Sequence, residues 1–379
     1  MMFPRLSVPL YIPVCCLIIS LFSSTALAGS DDWKPVDPAD LASKTPVVDK
    51  DADAEAIFWE VRIDDGAAEE LVFTNYIRVK VFNDRGKESQ SRIDLPYFSS
   101  FKIKDVAART IKPDGTIVEL KKEDVFERTI VKASGAILKA KSFALPSVEP
   151  GSIVEYKWRE VRSNTSANYV DLQFQRDIPI RSITYLVRPY AGPDANSMHY
   201  EPFHIPGNVK FEKVKDGFYR VSLTNVPPFT EEPRMPPEDS VRSWILLYYT
   251  SSTASTADKF WTEYGRSYYE GTKDEFKVSD DVRRVAKEVV GDATEPQEQL
   301  RRLYDYCQSK VKNVSYAASG VSTEEREKFK LNKSPADTIK KGMGFGSNID
   351  QLFAALATAA GFDAHLARSG DRQYVFLDD

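Results

Sequence analysis

From residue 56 to residue 249, apolar and polar residues alternate along several runs, which is the pattern of strands with one buried face. The clearest of these runs are 58–64, 72–82 and 152–161. Turn sequences rich in Asp, Asn, Pro and Gly separate such runs at 83–86, 113–115, 149–151 and 215–217. We therefore expect residues 55–249 to form a β-rich domain, an antiparallel sandwich-like structure of about a dozen strands.

Beyond residue 250 the spacing of apolar residues changes to the three and four residues of an amphipathic helix. The residues that carry this spacing are Phe260, Trp261, Tyr264 and Tyr268, and then Val282, Val285, Ala286 and Val289. In segment 226–238, prolines remove backbone donors and favour extended conformations, so we expect a connection there, with a proline-rich recognition motif as the alternative. The sequence thus predicts an α+β protein whose second domain occupies residues 250–379.

The N-terminus has the pattern of a secretory signal peptide. After a weakly positive start, residues 8–22 are mostly apolar, and Ala26-Leu-Ala28 provides small residues before a cleavage point. An uncleaved membrane anchor is the alternative, but Pro13 interrupts the apolar run. We expect residues 1–28 to be a signal peptide and residues 29–54 to be a linker, in a protein that is exported to the periplasm or the extracellular space.

Composition and charge limit the classes of function. The chain has 379 residues, of which 42% are hydrophobic, and this is enough apolar content for two or three ordinary domains. The formal net charge is -5, and Lys and Arg are interspersed with Asp and Glu, so no nucleic-acid-binding surface is expected. The sequence contains no phosphate-binding loop and no dinucleotide fingerprint, and we predict no cofactor.

The cysteines and histidines do not predict a metal or redox site. Two of the three cysteines lie in the predicted signal peptide, and the remaining Cys307 lies on an apolar helical stripe, as expected of a core thiol. The other residues of this stripe are Leu300, Leu303, Tyr304 and Val311. His199 and His204 flank Glu201, but we expect them to lie in an irregular stretch, without a third ligand or the helical spacing that would direct both rings at one ion.

Residues 342–364 carry the most informative motif, with the sequence GMGFGSNIDQLFAALATAAGFDA. Apolar side chains repeat along one helical face, and Gly361 follows at the position of a left-handed cap. The apolar positions are Ile349, Leu352, Phe353, Leu356 and Ala360. A short helix is predicted just before the motif, because Ser334-Pro-Ala-Asp337 has the residues of a helix start and Gly342 provides a stop.

This arrangement resembles the nucleophile helix of transglutaminase-like proteins, in which a Gly-x-Cys turn opens the helix and a Ser-Pro-Ala-Asp element precedes it. Alignment through Leu352, Leu356 and Gly361 puts Gly346 at the position of the nucleophilic Cys. The resemblance implies that the second domain has a papain-like α+β fold. It also implies that the reactive thiol is missing, because glycine has no side chain to attack a carbonyl group.

Ser347 could be proposed as a substitute nucleophile, but Ser347 and Asp350 have the spacing of a capping box, which is the simpler interpretation. In the resembling family, a His and then an Asp or Asn on later strands complete the triad. His365 follows the helix too closely for that role, on a predicted strand that we expect to be structural. Residues 372–379 have the pattern of a further strand, and we expect the sequence to be truncated relative to its family.

A second resemblance covers the β-rich half. Residues 114–120 and 143–158 are similar to a bacterial domain of unknown function, DUF3857, that precedes transglutaminase-like cores in exported proteins. Its more specific part is the string Leu-Pro-x-x-x-x-Gly-Ser followed by two apolar residues and Glu-Tyr. The order of the two resemblances along the chain agrees with that pairing, but the domain brings no established activity.

These patterns leave two hypotheses for function. The first is a non-catalytic protein of the bacterial envelope that binds a peptide, protein or cell-wall ligand through a degenerate transglutaminase-like domain. The second is an acyl-transfer enzyme, of the transglutaminase or cysteine-peptidase type, whose catalytic part is altered or lies beyond residue 379. Because Gly346 replaces the nucleophile, we favour the first and predict no catalytic, metal-binding or cofactor-binding residues.

Overall fold

The computed structural model describes residues 33–66, 70–133, 136–192, 197–250 and 256–370. The chain divides into two units, Met1–Val36 and Asp37–Asp379. In the first unit, the described residues 33–36 contain no helix or strand, and the predicted signal peptide lies outside the described residues. The second unit contains all the elements given below.

The β-rich part contains most of the described strands and two short helices. Its strands are β1 (Ala54–Asp64), β2 (Glu70–Val81), β3 (Arg92–Phe98), β4 (Phe101–Ile111), β5 (Ile117–Glu119), β6 (Phe126–Ala133), β7 (Ala136–Ala144), β8 (Ile153–Ser163), β9 (Val170–Gln173), β10 (Ile180–Arg188), β11 (Ser197–Phe203), β12 (Glu212–Lys213), β13 (Tyr219–Val226) and β14 (Trp244–Thr250). Its helices are α1 (Pro38–Ala42) and α2 (Asp84–Gln90).

Three sheets are built from these strands. The largest has eight strands in the order β12-β13-β10-β1-β2-β8-β4-β5, and the two others have the orders β3-β7-β6 and β11-β14-β9. Neighbouring strands are antiparallel with one exception, because β1 and β10 pair in parallel. The predicted antiparallel arrangement is thus present at the other strand pairs of these sheets, and β1 with β10 is the exception. Its strands are joined by the long connection 65–179 rather than by a hairpin, and such a connection permits parallel pairing.

The C-terminal half of β2 is buried on both faces, although two of its residues are charged. Lys80 is fully buried, and its ammonium group donates to the carbonyl oxygens of Leu41 and Gly151, at 2.6 Å each. Glu55, also fully buried, accepts the backbone N–H groups of Val47 and Val48. The segment around α1 is therefore bonded through its backbone to β1 and β2 in the middle of the large sheet, because buried charges need such partners.

The C-terminal part is helical. Its helices are α3 (Ala257–Thr272), α4 (Asp280–Val290), α5 (Pro296–Lys310), α6 (Thr323–Lys328), α7 (Pro335–Lys341) and α8 (Gly346–Ala359), and two short parallel strands are β15 (Lys312–Asn313) and β16 (Met343–Gly344). The chain is thus α+β, with a large β part followed by a helical part. None of the helices in the described ranges has both the length and the apolarity needed to cross a bilayer.

A second hydrophobic core forms where α8 packs on α4 and α5. Leu352 and Leu356 of α8 are fully buried there, together with Val282 and Leu303, so the predicted apolar face of α8 is confirmed. Cys307 lies in the same core, as the helical stripe predicted. Tyr304, assigned to that stripe as well, is half exposed instead, because it lies at the edge of the α5 face and only its ring edge contacts Phe353.

Candidate functional site

At the start of α8, the side chain that caps the helix belongs to an asparagine rather than to the predicted serine. The helix begins at Gly346, with Phe345 as the capping residue, and the Phe345 N–H donates to Asn348 Oδ1 at 3.2 Å. Asn348 is buried and its amide also donates to the Asn332 carbonyl at 3.3 Å. The predicted Ser347–Asp350 capping box was therefore wrong: Ser347 is exposed at the second position of the helix. Gly361 has a φ of +95°, which confirms the predicted left-handed cap.

The short helix before it was predicted correctly. α7 starts after Ser334, whose hydroxyl accepts the Asp337 N–H at 3.2 Å, and it ends at Gly342 in the left-handed region. The paired strands β15 and β16 follow α5 and α7, and the Val314 N–H donates to the Gly344 carbonyl at 2.9 Å. This pairing brings the segment after α5 next to the start of α8.

The structure around Gly346 leaves room for a side chain. Its N–H donates to Ser315 Oγ at 3.1 Å. A Cβ added here would lie 3.9 Å from the Asn313 side-chain nitrogen and 4.0 Å from Ser315 Oγ, and both distances are ordinary van der Waals contacts. Since the backbone at Gly346 does not require glycine and a side chain has room, the local fold could hold a nucleophile that the sequence does not supply.

A cleft of about 520 Å³ lies beside the first turn of α8. It is lined by Asn313, Tyr316, Ile349 and Lys312, among others, and by Cys307. Burial, and to a lesser extent the charge of Asp350, raises the pKa of the Cys307 thiol to about 12. At neutral pH this thiol is protonated, and the thiolate is the reactive form, so Cys307 is a core residue and not a nucleophile.

The histidines lie away from this cleft. His365 is exposed, and its Nε2 is 2.8 Å from the carboxylate of Asp363. The strand predicted around His365 was wrong, since residues 362–370 form no strand; among the described residues no neighbouring strand pairs with them. The strand predicted at 372–379 lies outside the described residues.

His199 and His204 belong to another part of the chain. His199 lies on β11, where its ring stacks on Tyr248 at 5.5 Å, so the prediction of an irregular stretch there was wrong. His204 follows the strand, and its carbonyl accepts the Ser243 hydroxyl. Within the described ranges, no group of three His, Cys, Asp or Glu side chains could hold a metal ion.

The aromatic face of α3 is the most unusual surface of the helical part. The predicted helix is present, but it buries none of its residues. The exposed fractions are 43% for Phe260, 63% for Trp261, 38% for Tyr264 and 47% for Tyr269. The rings contact one another along the helix, with centroids 5.2 Å apart for Phe260 and Trp261 and 5.8 Å apart for Trp261 and Tyr264. Exposed aromatic surfaces of this kind are typical of sites of interaction.

This surface forms one wall of a cleft of about 540 Å³, which we call the α3 cleft. Its aromatic lining comes from Trp261, Tyr264, Tyr268, Tyr269 and Phe276. The charged or titratable side chains of the lining are Arg266, His365 and Arg368, and Arg368 donates to the Tyr264 hydroxyl at 3.2 Å. The sequence contained a signal for this cleft, because Phe260, Trp261, Tyr264 and Tyr268 at helical spacing predicted the helix, but their exposure was not predicted.

Comparison with known proteins supports the β-rich half of the sequence interpretation. Residues 67–230 match a family model described as a domain of unknown function with solved structure, DUF3857. The predicted resemblance to this domain is therefore confirmed. No curated protein matches the chain.

Among solved structures, a proposed protease from Parabacteroides distasonis has 14% sequence identity and a TM-score of 0.55, over 82% of this chain and 59% of that chain. A proposed nutrient-binding protein from Legionella pneumophila (9% identity, 77% of this chain, 94% of that chain, TM-score 0.24) and an M1 zinc metallopeptidase from Deinococcus radiodurans (12%, 66%, 57%, 0.25) are too distant to carry an argument. This chain thus spans 59% of the length of the Parabacteroides protein. Its residues 67–230 are similar to the DUF3857 family model, and its fold is similar to that of a proposed protease.

Proposed function

We propose that this chain belongs to a non-catalytic protein of the bacterial envelope, which binds a peptide, protein or cell-wall ligand through a degenerate transglutaminase-like domain. The observation that carries the proposal is Gly346 at the first position of α8, where the resembling family places its nucleophile. The fold neighbour is described as a proposed protease, so the architecture is one on which peptide chemistry is expected, and the chain lacks the thiol that the chemistry needs.

The groups near the start of α8 support a non-catalytic role. Cys307 is buried and holds its proton, and Ser347 is exposed on the first turn. His365 pairs with Asp363 and lines the α3 cleft rather than the cleft beside Gly346. An activated serine needs a base within hydrogen-bond reach, and among the described residues no hydrogen bond joins Ser347 to such a group.

The α3 cleft supports a binding role. Aromatic side chains are enriched at the centres of protein interfaces, because they bury a large area at a small cost in conformational entropy. The α3 cleft presents Trp261 and two exposed tyrosines beside two arginines, so it offers apolar contacts to side chains and hydrogen-bond donors to backbone carbonyls or carboxylates. We therefore infer that an extended peptide segment is the ligand that these contacts favour.

Export to the envelope rests on the signal-peptide pattern of residues 1–28 alone. Fractionation of the producing cells, followed by N-terminal sequencing of the recovered protein, tests it. We expect to recover the protein from the envelope fraction with its N-terminus at or near Gly29. An N-terminus at Met1 in the cytoplasmic fraction would contradict this part of the proposal.

The double variant Trp261→Ala, Tyr264→Ala tests the binding role. On an array of random octapeptides, we expect the wild-type protein to bind a subset and the double variant to lose at least about tenfold in affinity for that subset, because truncation of interface aromatics costs 2 kcal/mol or more. Tyr304→Ala, which removes a half-exposed tyrosine of α5 in the same domain, is the matched control and should leave the affinity unchanged. Equal binding by all three proteins would contradict the proposal. So would hydrolysis or transamidation of the bound peptides by the wild type.

The variant Gly346→Cys tests whether α8 retains the geometry of a nucleophile helix. The thiol introduced at the first helical position has room and lies at the positive end of the helix dipole, which stabilises a thiolate. We expect its pKa to fall below about 8.5, the ordinary value for cysteine. Alkylation by iodoacetamide across pH, read by peptide mass spectrometry, measures it, and Cys307 in the same chain serves as the buried reference. A thiol at position 346 that titrates like free cysteine would contradict the alignment.

A further inference from the structure

A third cleft lies in the β-rich part, between the eight-stranded sheet and β3, and has a volume of about 310 Å³. We call it the β cleft. One wall is the face of the large sheet that carries Trp59 of β1 together with Tyr156 and Trp158 of β8. The strand register explains the arrangement, because Ile77 of the intervening strand β2 pairs with both Trp59 and Tyr156. The aromatic side chains therefore lie in adjacent rows of one sheet face.

These rings form a flat wall. The rings of Tyr156 and Trp158 stack with centroids 5.9 Å apart and planes that differ by 10°. Tyr156 is buried, whereas Trp59 and Trp158 are partly buried, so the indole rings pack on the core and still line the opening. A flat aromatic surface at the wall of a concave site offers a face on which the C–H groups of a ligand ring can pack.

The opposite wall is polar and carries groups of both kinds, donors and acceptors. Arg92 and Asp177 are exposed at the opening, and Gln90 is buried with its amide 3.3 Å from the Ser89 hydroxyl. Two further carboxylates are held in place by arginines outside the cleft lining. Asp94 pairs with Arg128 at 2.9 Å, and Glu160 pairs with Arg162 at 2.6 Å. The polar wall is thus fixed before any ligand arrives, which reduces the entropic cost of binding.

This composition distinguishes between classes of ligand. A purely apolar ligand would remove water from Arg92 and Asp177 at the opening without offering them hydrogen bonds, which is costly. A cationic ligand would need acceptors alone, but Arg92 lies in the lining. A saccharide uses all the groups present, because its ring C–H groups pack on the indoles while its hydroxyls both donate and accept hydrogen bonds.

We propose that the β cleft is a saccharide-binding site for one or two neutral sugar rings. It belongs to the DUF3857 region rather than to the helical part, and the proposal does not depend on the α3 cleft or on the absence of a nucleophile at position 346. Trp59 and Trp158 supply the stacking surface. Arg92 and Asp177 orient the hydroxyl groups at the opening.

Calorimetry and tryptophan fluorescence with two probes, the trimer of N-acetylglucosamine and cellotriose, test this site in the full chain. We expect saturable binding of at least one probe at millimolar concentration or below. Asp177→Ala and Arg92→Ala should each weaken that binding by about tenfold or more, the usual effect of losing a hydrogen bond to a charged group. Both residues are exposed, so their variants are expected to fold. Trp261→Ala, which alters only the α3 cleft, should leave sugar binding unchanged and is the control.

Three outcomes would overturn the proposal. The first is the absence of saturable binding by either sugar. The second is sugar binding that persists unchanged in both the Asp177 and the Arg92 variants, because the ligand would then lie elsewhere. The third is preferential binding of trilysine that is lost in Asp177→Ala, since this result would assign the cleft to cationic ligands. The Trp261→Ala variant also separates the two proposals. If it loses peptide binding and still binds the sugar, the two ligands use different clefts, and a failure of the sugar proposal can be told from a failure of the peptide proposal.

Discussion

Replacing Glu155 with Gln is expected to lower the free energy of unfolding by about 3–5 kcal/mol, the largest effect of any single charge change in the β-rich part. The Glu155 side chain is fully buried. Its Oε1 accepts the Tyr76 hydroxyl at 2.7 Å and Arg78 Nε at 2.6 Å, and its Oε2 accepts Arg109 Nε at 2.6 Å. One carboxylate therefore pairs with two buried guanidinium groups.

The size of this loss of stability depends on the buried charges that remain after Glu155 is replaced by Gln. Gln has nearly the shape of Glu, so the variant leaves no cavity, and the loss reflects charge and hydrogen bonding alone. Arg78 and Arg109 are 4% and 11% exposed in their side chains and cannot lose their protons at accessible pH. Two positive charges would thus stay buried and lose the carboxylate that pairs with both of them, and this costs more than the pair contributed.

Urea unfolding followed by tryptophan fluorescence measures this loss. Glu212→Gln is the matched control, because Glu212 of β12 pairs with Arg220 at 2.8 Å at the edge of the eight-stranded sheet, where the two side chains are 67% and 50% exposed. Solvent screens such a pair, and we expect its loss to cost at most about 1 kcal/mol. Equal effects of the two substitutions would mean that water reaches the two arginines and that the cluster is not buried in solution.

The strands of the β-rich part could be predicted from the sequence because burial on one face produces a period of two. Runs 58–64, 72–82 and 152–161 lie almost wholly within β1, β2 and β8. The parallel pairing of β1 with β10 could not be predicted in this way, because a period describes one strand and not its neighbour. Nor does a period explain the burial of Arg78 and Lys80 in β2, which depends on partners distant in sequence.

The candidate sites also could not be predicted from the period of apolar residues along single elements. Helical spacing predicted that Trp261, Tyr264 and Tyr268 share a face of α3, but it does not reveal whether anything covers that face. The β cleft was missed because Trp59 and Trp158 lie in strand patterns that are explained equally well by a filled core. Gly346 was recognised from a local motif. The room for a side chain at this position is bounded by Asn313 and Ser315, and only the pairing of β15 with β16 brings these residues near it.

Gly86→Ala is expected to destabilise the β-rich part by about 2–4 kcal/mol, although alanine is the better helix former. Gly86 is buried in the first turn of α2. A Cβ at this position would lie 2.0 Å from the Asp53 carbonyl oxygen and 2.7 Å from its carbon, distances that no real Cβ adopts. The obstacle is backbone, so no side-chain rotation can relieve it.

The surrounding hydrogen bonds decide whether the backbone can yield. The Asp53 carbonyl accepts the Phe82 N–H at 2.9 Å, and the Asp53 carboxylate accepts the Asn83 amide at 2.6 Å. Asn83 in turn caps α2 by accepting the Gly86 N–H at 3.0 Å. Moving either segment by the ångström or more that a methyl group needs would break bonds on both sides of the contact, so the clash outweighs the gain of about 1 kcal/mol in helix propensity.

Gly265→Ala provides the matched control, because it makes the same substitution inside α3, where nothing lies within 4 Å of the added Cβ. At Gly265 only the helix propensity changes, and we expect stabilisation of α3 by up to about 1 kcal/mol. Thermal and urea unfolding of both variants should therefore give changes of opposite sign. If Gly86→Ala were neutral, α2 would have to be displaced from Asp53 in solution, and the packing of α2 against the residue before β1 would be looser than these contacts require.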